Sequence, residues 1–294
     1  MSIPVKFAAI QLSISWDFEL NLSKAIERIE EAAANGAQVI LLQELFAAPY
    51  FCKQQNAKYF ELAAELPHHS LIQKMSELAK SLQVVLPISY FEKSGNNFFN
   101  SLVMIDADGS ILDNYRKSHI PDGPGYCEKY YFSPGDTGFK VWHTRYGCFG
   151  AGICWDQWFP ELARCLALAG AEAIFYPTAI GSEPQDPSLD SKGHWQRTMQ
   201  GHAAANLLPV IAANRTGVES DDGVETRFYG SSFITDHTGE LLAEASRDSE
   251  EIIYAEIDLK ATQLARHSWG LFRDRRPELY SPLLSLTGKG LLER

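Results

Sequence analysis

No stretch of about eighteen consecutive apolar residues occurs in the 294-residue chain, so no membrane-spanning helix is expected. The apolar run at the start (MSIPVKFAAIQL) is short and interrupted by Lys6, unlike a signal peptide. Basic residues are scarce: 26 Lys and Arg stand against 37 Asp and Glu, a net charge of −11. Such a surface repels phosphate backbones, so nucleic acid is not an expected partner. Cysteine is also sparse and odd in number, with five residues at 52, 127, 148, 154 and 165. This is no disulfide framework, and it suits reduced thiols in a cytoplasmic protein. The dinucleotide fingerprint GxGxxG, the phosphate loop GxxxxGK[ST] and the GxSxG turn are all missing. There is no CxxC pair, and the histidines are scattered apart from His68-His69, so neither a metal nor a cofactor is expected.

The composition that remains is that of a globular protein, with 45% apolar and 21% charged residues. Periodicity alternates between two and 3.6. Buried strands are predicted at 5–12, 39–44 (VILLQE), 84–91, 148–154 (CFGAGIC), 173–176, 209–214, 231–235 and 251–257. A hairpin is predicted where 98–106 and 111–117 flank Asp108-Gly109. Helices are predicted along Leu22 to Ala33 with Gly36 as stop, after Ser70 with Gln73 as a capping box, from Pro160 to Gly170, and over 192–206. Strands alternating with helices define an α/β class. Two stretches rich in Gly and Pro, 121–138 and 181–191, read as long functional loops.

Three reactive side chains stand where predicted strands end: Glu44 closes VILLQE, Lys117 closes ILDNYRK and Cys154 closes CFGAGIC. Singly, each has an ordinary explanation: an acid reaching solvent, an edge lysine, a small core thiol. Together they lie where ligands collect in open α/β sheets. Their chemistry is complementary. A lysine stabilises a thiolate, and a carboxylate can take the thiol proton and return it to a leaving amine. The same lysine, with the backbone N–H of Trp155, can meet a developing oxyanion. This is the equipment for acyl transfer at an amide-like carbon.

Gln43-Glu44, Arg116-Lys117 and Ile153-Cys154-Trp155-Asp156, with AAIQL, SPGD (133–136), HAAAN (202–206) and IAANR, resemble the carbon–nitrogen hydrolase (nitrilase-like) superfamily. The resemblance runs from about Phe7 to Asp258 in the same order. It implies a four-layer α-β-β-α sandwich in one domain over 1–294, with 259–294 as a tail that packs on its own subunit or a neighbour. It further implies a homo-oligomer, a Glu44-Lys117-Cys154 triad, and Glu128 as a second glutamate that orients the lysine.

Family branches that hydrolyse N-carbamoyl amino acids place arginines just after the cysteine. Here the segment CWDQWFPE holds two acids and no arginine before Arg164. The loop GSEPQDPSLD adds Glu183, Asp186 and Asp190. These acids serve a cationic amine better than a carboxylate, and the segments ELFAAPYFC (44–52), HIPDGPGYCEKYYFSPGDTGF (119–139), ICWDQWFPE (153–161), PTAIGSEPQDP (177–187) and WGLFRDRRPELY (269–280) resemble the branch that hydrolyses N-carbamoylputrescine. A small cationic ureido substrate is therefore expected, with Glu183 on its ammonium and Asp122 and Trp155 lining the pocket. The alternatives are a β-ureidopropionase, an ω-amidase or a nitrilase.

Overall fold

The computed structural model describes residues 4–183, 185–186 and 188–288. Along the chain the elements are β1 (Val5–Gln11), α1 (Phe18–Ala34), β2 (Val39–Leu41), α2 (Ser70–Leu82), β3 (Leu86–Ser94), β4 (Asn97–Ile105) and β5 (Ile111–Arg116). There follow α3 (Glu128–Tyr131), β6 (Val141–Thr144), β7 (Gly147–Ala151), a 3-10 turn Cys154–Trp158, α4 (Pro160–Leu168), β8 (Ala173–Pro177) and α5 (Lys192–Asn206). The remainder is β9 (Val210–Ala213), β10 (Thr216–Asp221), β11 (Val224–Tyr229), β12 (Phe233–Thr235), β13 (Leu241–Glu244), β14 (Glu251–Ile257) and α6 (Leu259–Trp269).

One sheet runs β13-β12-β9-β8-β7-β6. The other is assembled from β14-β1-β2 and β3-β4-β5, joined where Ile40 N donates to Val85 O and Val85 N donates to Gln38 O. Alternation along the strands decides which side chains meet which layer. In β1, Phe7 and Ala9 face the six-stranded sheet, while Ala8 and Ile10 pack under α1 and α2. Phe7 meets Phe149 of β7 and Phe175 of β8 with ring centroids 5.8 and 6.2 Å apart. On the far side α4 closes on β7, where a Cβ at Gly150 would come within 3.0 Å of Leu166. The result is the four-layer α-β-β-α sandwich. Among the described residues no helix is long and apolar enough to cross a membrane.

Several expectations are corrected. Strand β2 stops at Leu41, and Glu44 lies in a turn beyond it. There the carbonyls of Glu44, Leu45 and Ala48 are taken by the buried Arg215 guanidinium instead of a neighbouring strand. Strand β7 stops at Ala151, because Asp156 Oδ2 captures the Ile153 N–H and bends the chain out of the sheet. Strand β5 stops one residue short of Lys117. Ser70 is the first residue of α2, with His69 at the cap position. The loop 121–138 contains the single turn α3. The hairpin β10–β11, turning at Asp222-Gly223, and the strands β6 and β13 were not anticipated. In the C-terminal segment, α6 docks on its own chain: Leu259 is buried and Arg266 donates to Ala171 O and Leu207 O.

Candidate active site

The ends of β2, β5 and β7 bring Glu44, Lys117 and Cys154 towards one place, and α3 adds Glu128. All four are buried; Glu44 and Lys117 are 0% exposed and Glu128 is 1% exposed. Lys117 Nζ donates to Glu44 Oε1 at 3.0 Å and to Glu128 Oε2 at 2.6 Å. Each carboxylate is held from a second side. Asn100 Nδ2 donates to Glu44 Oε1 at 2.7 Å, and the Tyr50 hydroxyl donates to Glu128 Oε1 at 2.7 Å. Glu44 Oε2 is buried and has no partner among the described residues, so it is free to accept a proton.

Charge and burial oppose one another here. Burial pulls the Lys117 ammonium down, but Glu128 and Glu44 together outweigh it and hold the group well above the ordinary lysine range. Burial pushes the Glu128 carboxyl up to about 7, against the pull of Lys117. Burial, then Glu44, push the Cys154 thiol well above its ordinary value, with Lys117 opposing. The resting nucleophile is therefore the thiol, and its proton must leave as it attacks.

Cys154 opens the 3-10 turn with φ +43°, and Leu45, just after Glu44, has φ +49°. Such left-handed backbone at residues with a Cβ is costly and persists where the surroundings enforce it. At Cys154 the enforcer is Asp156, whose carboxylate accepts from Ile153 N (2.9 Å), His119 N (3.0 Å) and the Tyr115 hydroxyl (2.8 Å). It also contacts His119 Nδ1 at 2.7 Å, so it ties the loop after Lys117 to the turn bearing Cys154. The Cys154 thiol points to Ala179 O at 3.8 Å. Among the described residues no backbone carbonyl outside its own 3-10 turn accepts from the Trp155 N–H.

Cys154 and Glu128 face a cavity of about 150 Å³, a small-molecule volume. Trp155, Asp122 and Glu183 line it, so the three expected pocket residues meet the nucleophile in one space. Glu183 is half-buried, and that burial raises its carboxyl pKa. Among the described residues no Lys, Arg or His lines this cavity. Sequence reasoning missed Asn100, Tyr50, Asp156 and Arg215. Tyr50, Asp156 and Arg215 lie inside the segments that carry the family resemblance, and Asn100 stands as a polar residue within the apolar strand β4.

A thiol that feels the charges of Glu44, Lys117 and Glu128, in a site where a carboxylate oxygen has no partner among the described residues, can transfer an acyl group. The fold and this constellation define a hydrolase of carbon–nitrogen bonds. The chain belongs to the carbon-nitrogen hydrolase family, whose model matches residues 6–267. It is 56% identical over 280 residues to a citrullinase of Francisella tularensis, covering 95% of this chain and 98% of that one. It is 53% identical over 288 residues to an N-carbamoylputrescine amidase of Solanum lycopersicum, covering 97% and 96%. In structure it is similar to a carbon-nitrogen hydrolase from Helicobacter pylori. The TM-score is 0.90 at 40% identity, covering 97% of this chain and 99% of that one.

Proposed function

We propose that the protein hydrolyses N-carbamoylputrescine to putrescine, carbon dioxide and ammonia, on the agmatine route to putrescine. The observation that carries this is the cavity wall beside Cys154, where Asp122 and Glu183 stand without a basic side chain. A terminal ammonium is served there and a lone carboxylate is not. The N-carbamoylputrescine amidase relative supports the same substrate.

In this mechanism Glu44 Oε2 takes the thiol proton as Cys154 Sγ attacks the ureido carbon. Lys117 Nζ and the Trp155 N–H hold the oxyanion, and Glu128 orients Lys117. The C–NH2 bond breaks, and ammonia leaves with the proton from Glu44. The carbamoyl-cysteine is then hydrolysed by water activated by Glu44. The released carbamate loses carbon dioxide to give the amine, and no cofactor takes part. The chain acts as one domain in a homo-oligomer. Its unpaired cysteines support a cytoplasmic setting.

Citrulline is a second reading, favoured by the identity to the Francisella citrullinase. The test is ammonia release from N-carbamoylputrescine, citrulline, N-carbamoyl-β-alanine, a simple amide and a nitrile. N-carbamoylputrescine should show the highest kcat/KM, and Cys154→Ser should abolish turnover. A preference for N-carbamoyl-β-alanine, the amide or the nitrile refutes the substrate. A serine variant that keeps more than a few per cent of the rate refutes the nucleophile.

A further inference from the structure

Tyr50 is a fully buried phenol that the proposed reaction leaves unused. It does not line the cavity beside Cys154. Its ring packs on those of Tyr126 and Phe228, with centroids 5.7 and 6.1 Å away. Its hydroxyl has one partner among the described residues, Glu128 Oε1 at 2.7 Å. Burial, then the charge of Glu128, push the phenol well above its ordinary range, so it stays a donor.

The backbone fixes where this donor points. Tyr50 N donates to Glu219 Oε2 at 2.6 Å, and Arg215 Nη1 donates to Glu219 Oε1 at 2.8 Å. The same guanidinium holds the carbonyls of Glu44, Leu45 and Ala48. One buried ion pair therefore grips both ends of the segment 44–50. The start of α3 is tied to the same stretch, where Cys127 N donates to Cys52 O at 2.7 Å. Glu44 reaches Lys117 directly, and Tyr50 reaches it through Glu128.

A phenol has one proton to donate. While Glu128 is ionised, Tyr50 donates to Oε1 and Lys117 donates to Oε2. A proton arriving on Oε2 would face the ammonium. A proton arriving on Oε1 would turn the phenol O–H away, towards no other acceptor among the described residues. A buried donor without an acceptor is costly, so the hydroxyl favours the carboxylate over the acid. The other titratable groups that face Glu128 are Lys117, Glu44, Cys52, Cys154 and Tyr126. Burial keeps the two thiols and the Tyr126 phenol neutral, which leaves Lys117 and the Tyr50 hydroxyl to oppose burial and Glu44. We propose that Tyr50 is a positioning residue of the hydrolysis, whose hydroxyl holds Glu128 as the carboxylate that orients Lys117. The inference rests on the role given to Glu128 above and not on the identity of the substrate.

The test is the pH profile of kcat in the wild type, Tyr50→Phe, Glu128→Gln and the double variant, on whichever compound compared above gives the highest kcat/KM. Tyr50→Phe removes one oxygen and leaves the ring. Its acid limb should move up by about one pH unit, the effect of one hydrogen bond to a charge. At pH 7 its kcat should fall about fivefold, and at pH 9 it should stay within about twofold of wild type, with KM little changed. In the Glu128→Gln background the same substitution should leave the profile unchanged. Should Tyr50→Phe fail to fold, 3-fluorotyrosine at position 50 is a stronger donor and should move the limb to lower pH; a limb that stays or rises overturns the inference. A limb removed by Glu128→Gln but unmoved by Tyr50→Phe overturns the inference alone, as does an equal loss at pH 7 and pH 9. A limb that survives Glu128→Gln overturns the role of Glu128 with it.

Discussion

Lys117→Met keeps a stem of similar length and deletes the ammonium that donates to Glu44 and Glu128. Both carboxylates then lie buried without their counter-charge. Removing one partner of a buried ion pair costs about 3–5 kcal/mol, because the other charge stays behind. The variant's carboxyls can avoid much of that cost by holding protons. Their pKa values in the folded state then stand above the unfolded value of about 4.3. A carboxyl shifted this way is harmless at low pH and costs stability as the pH rises from the unfolded towards the folded pKa. The deficit relative to wild type should therefore be about 3–5 kcal/mol at pH 8 and clearly smaller at pH 5, the gap being about 1.4 kcal/mol per unit by which the variant's carboxyl pKa values exceed those of the wild type, where Glu128 already stands at about 7. Urea denaturation of both proteins at the two pH values measures it. In parallel, kcat should fall by roughly a thousandfold or more, since the oxyanion loses its charged partner. Equal deficits at pH 5 and pH 8 would refute the reasoning, for they would mean that Lys117 fills space and does not neutralise the two acids.

Three further outcomes follow from the same geometry. Burial sets the Glu128 carboxyl at about 7, and its ionised form orients Lys117. Activity should thus fall as the pH drops through about 7, and Glu128→Gln should flatten that limb of the kcat profile while lowering its plateau; an unchanged limb rules Glu128 out as its source. Glu183→Gln should raise the KM for N-carbamoylputrescine roughly ten- to hundredfold and weaken the preference for a terminal amine, and an unchanged KM removes Glu183 from the ammonium site. Gly135→Ala would place a Cβ 2.0 Å from Arg116 O and 2.9 Å from Lys117 O. It should cost about 1–3 kcal/mol in thermal unfolding and depress kcat by displacing Lys117, so a variant with wild-type Tm and rate contradicts the contact.

Much of the architecture was legible because its causes are local. Helix α5 occupies the 192–206 predicted from its pattern, and the Asp108-Gly109 turn joins β4 to β5. Asp222-Gly223 carries the same turn signal and joins β10 to β11, yet the strands beside it alternate polar and apolar residues too loosely to stand out. Glu44 and Cys154 were expected at strand ends, and both lie beyond them. The partners that pull them off are Arg215, 171 residues from Glu44, and the Asp156 side chain.

The order of chemical groups along the chain, and the alternation that builds two sheets and their helices, were determined by the sequence alone. Those follow from side-chain type and period. Tertiary structure decided the rest. It set Lys117 between two buried carboxylates and left Glu44 Oε2 without a partner among the described residues. Each of these depends on groups far apart in the chain meeting where water is excluded. Only there do a missing hydrogen bond and an unmatched charge acquire their cost.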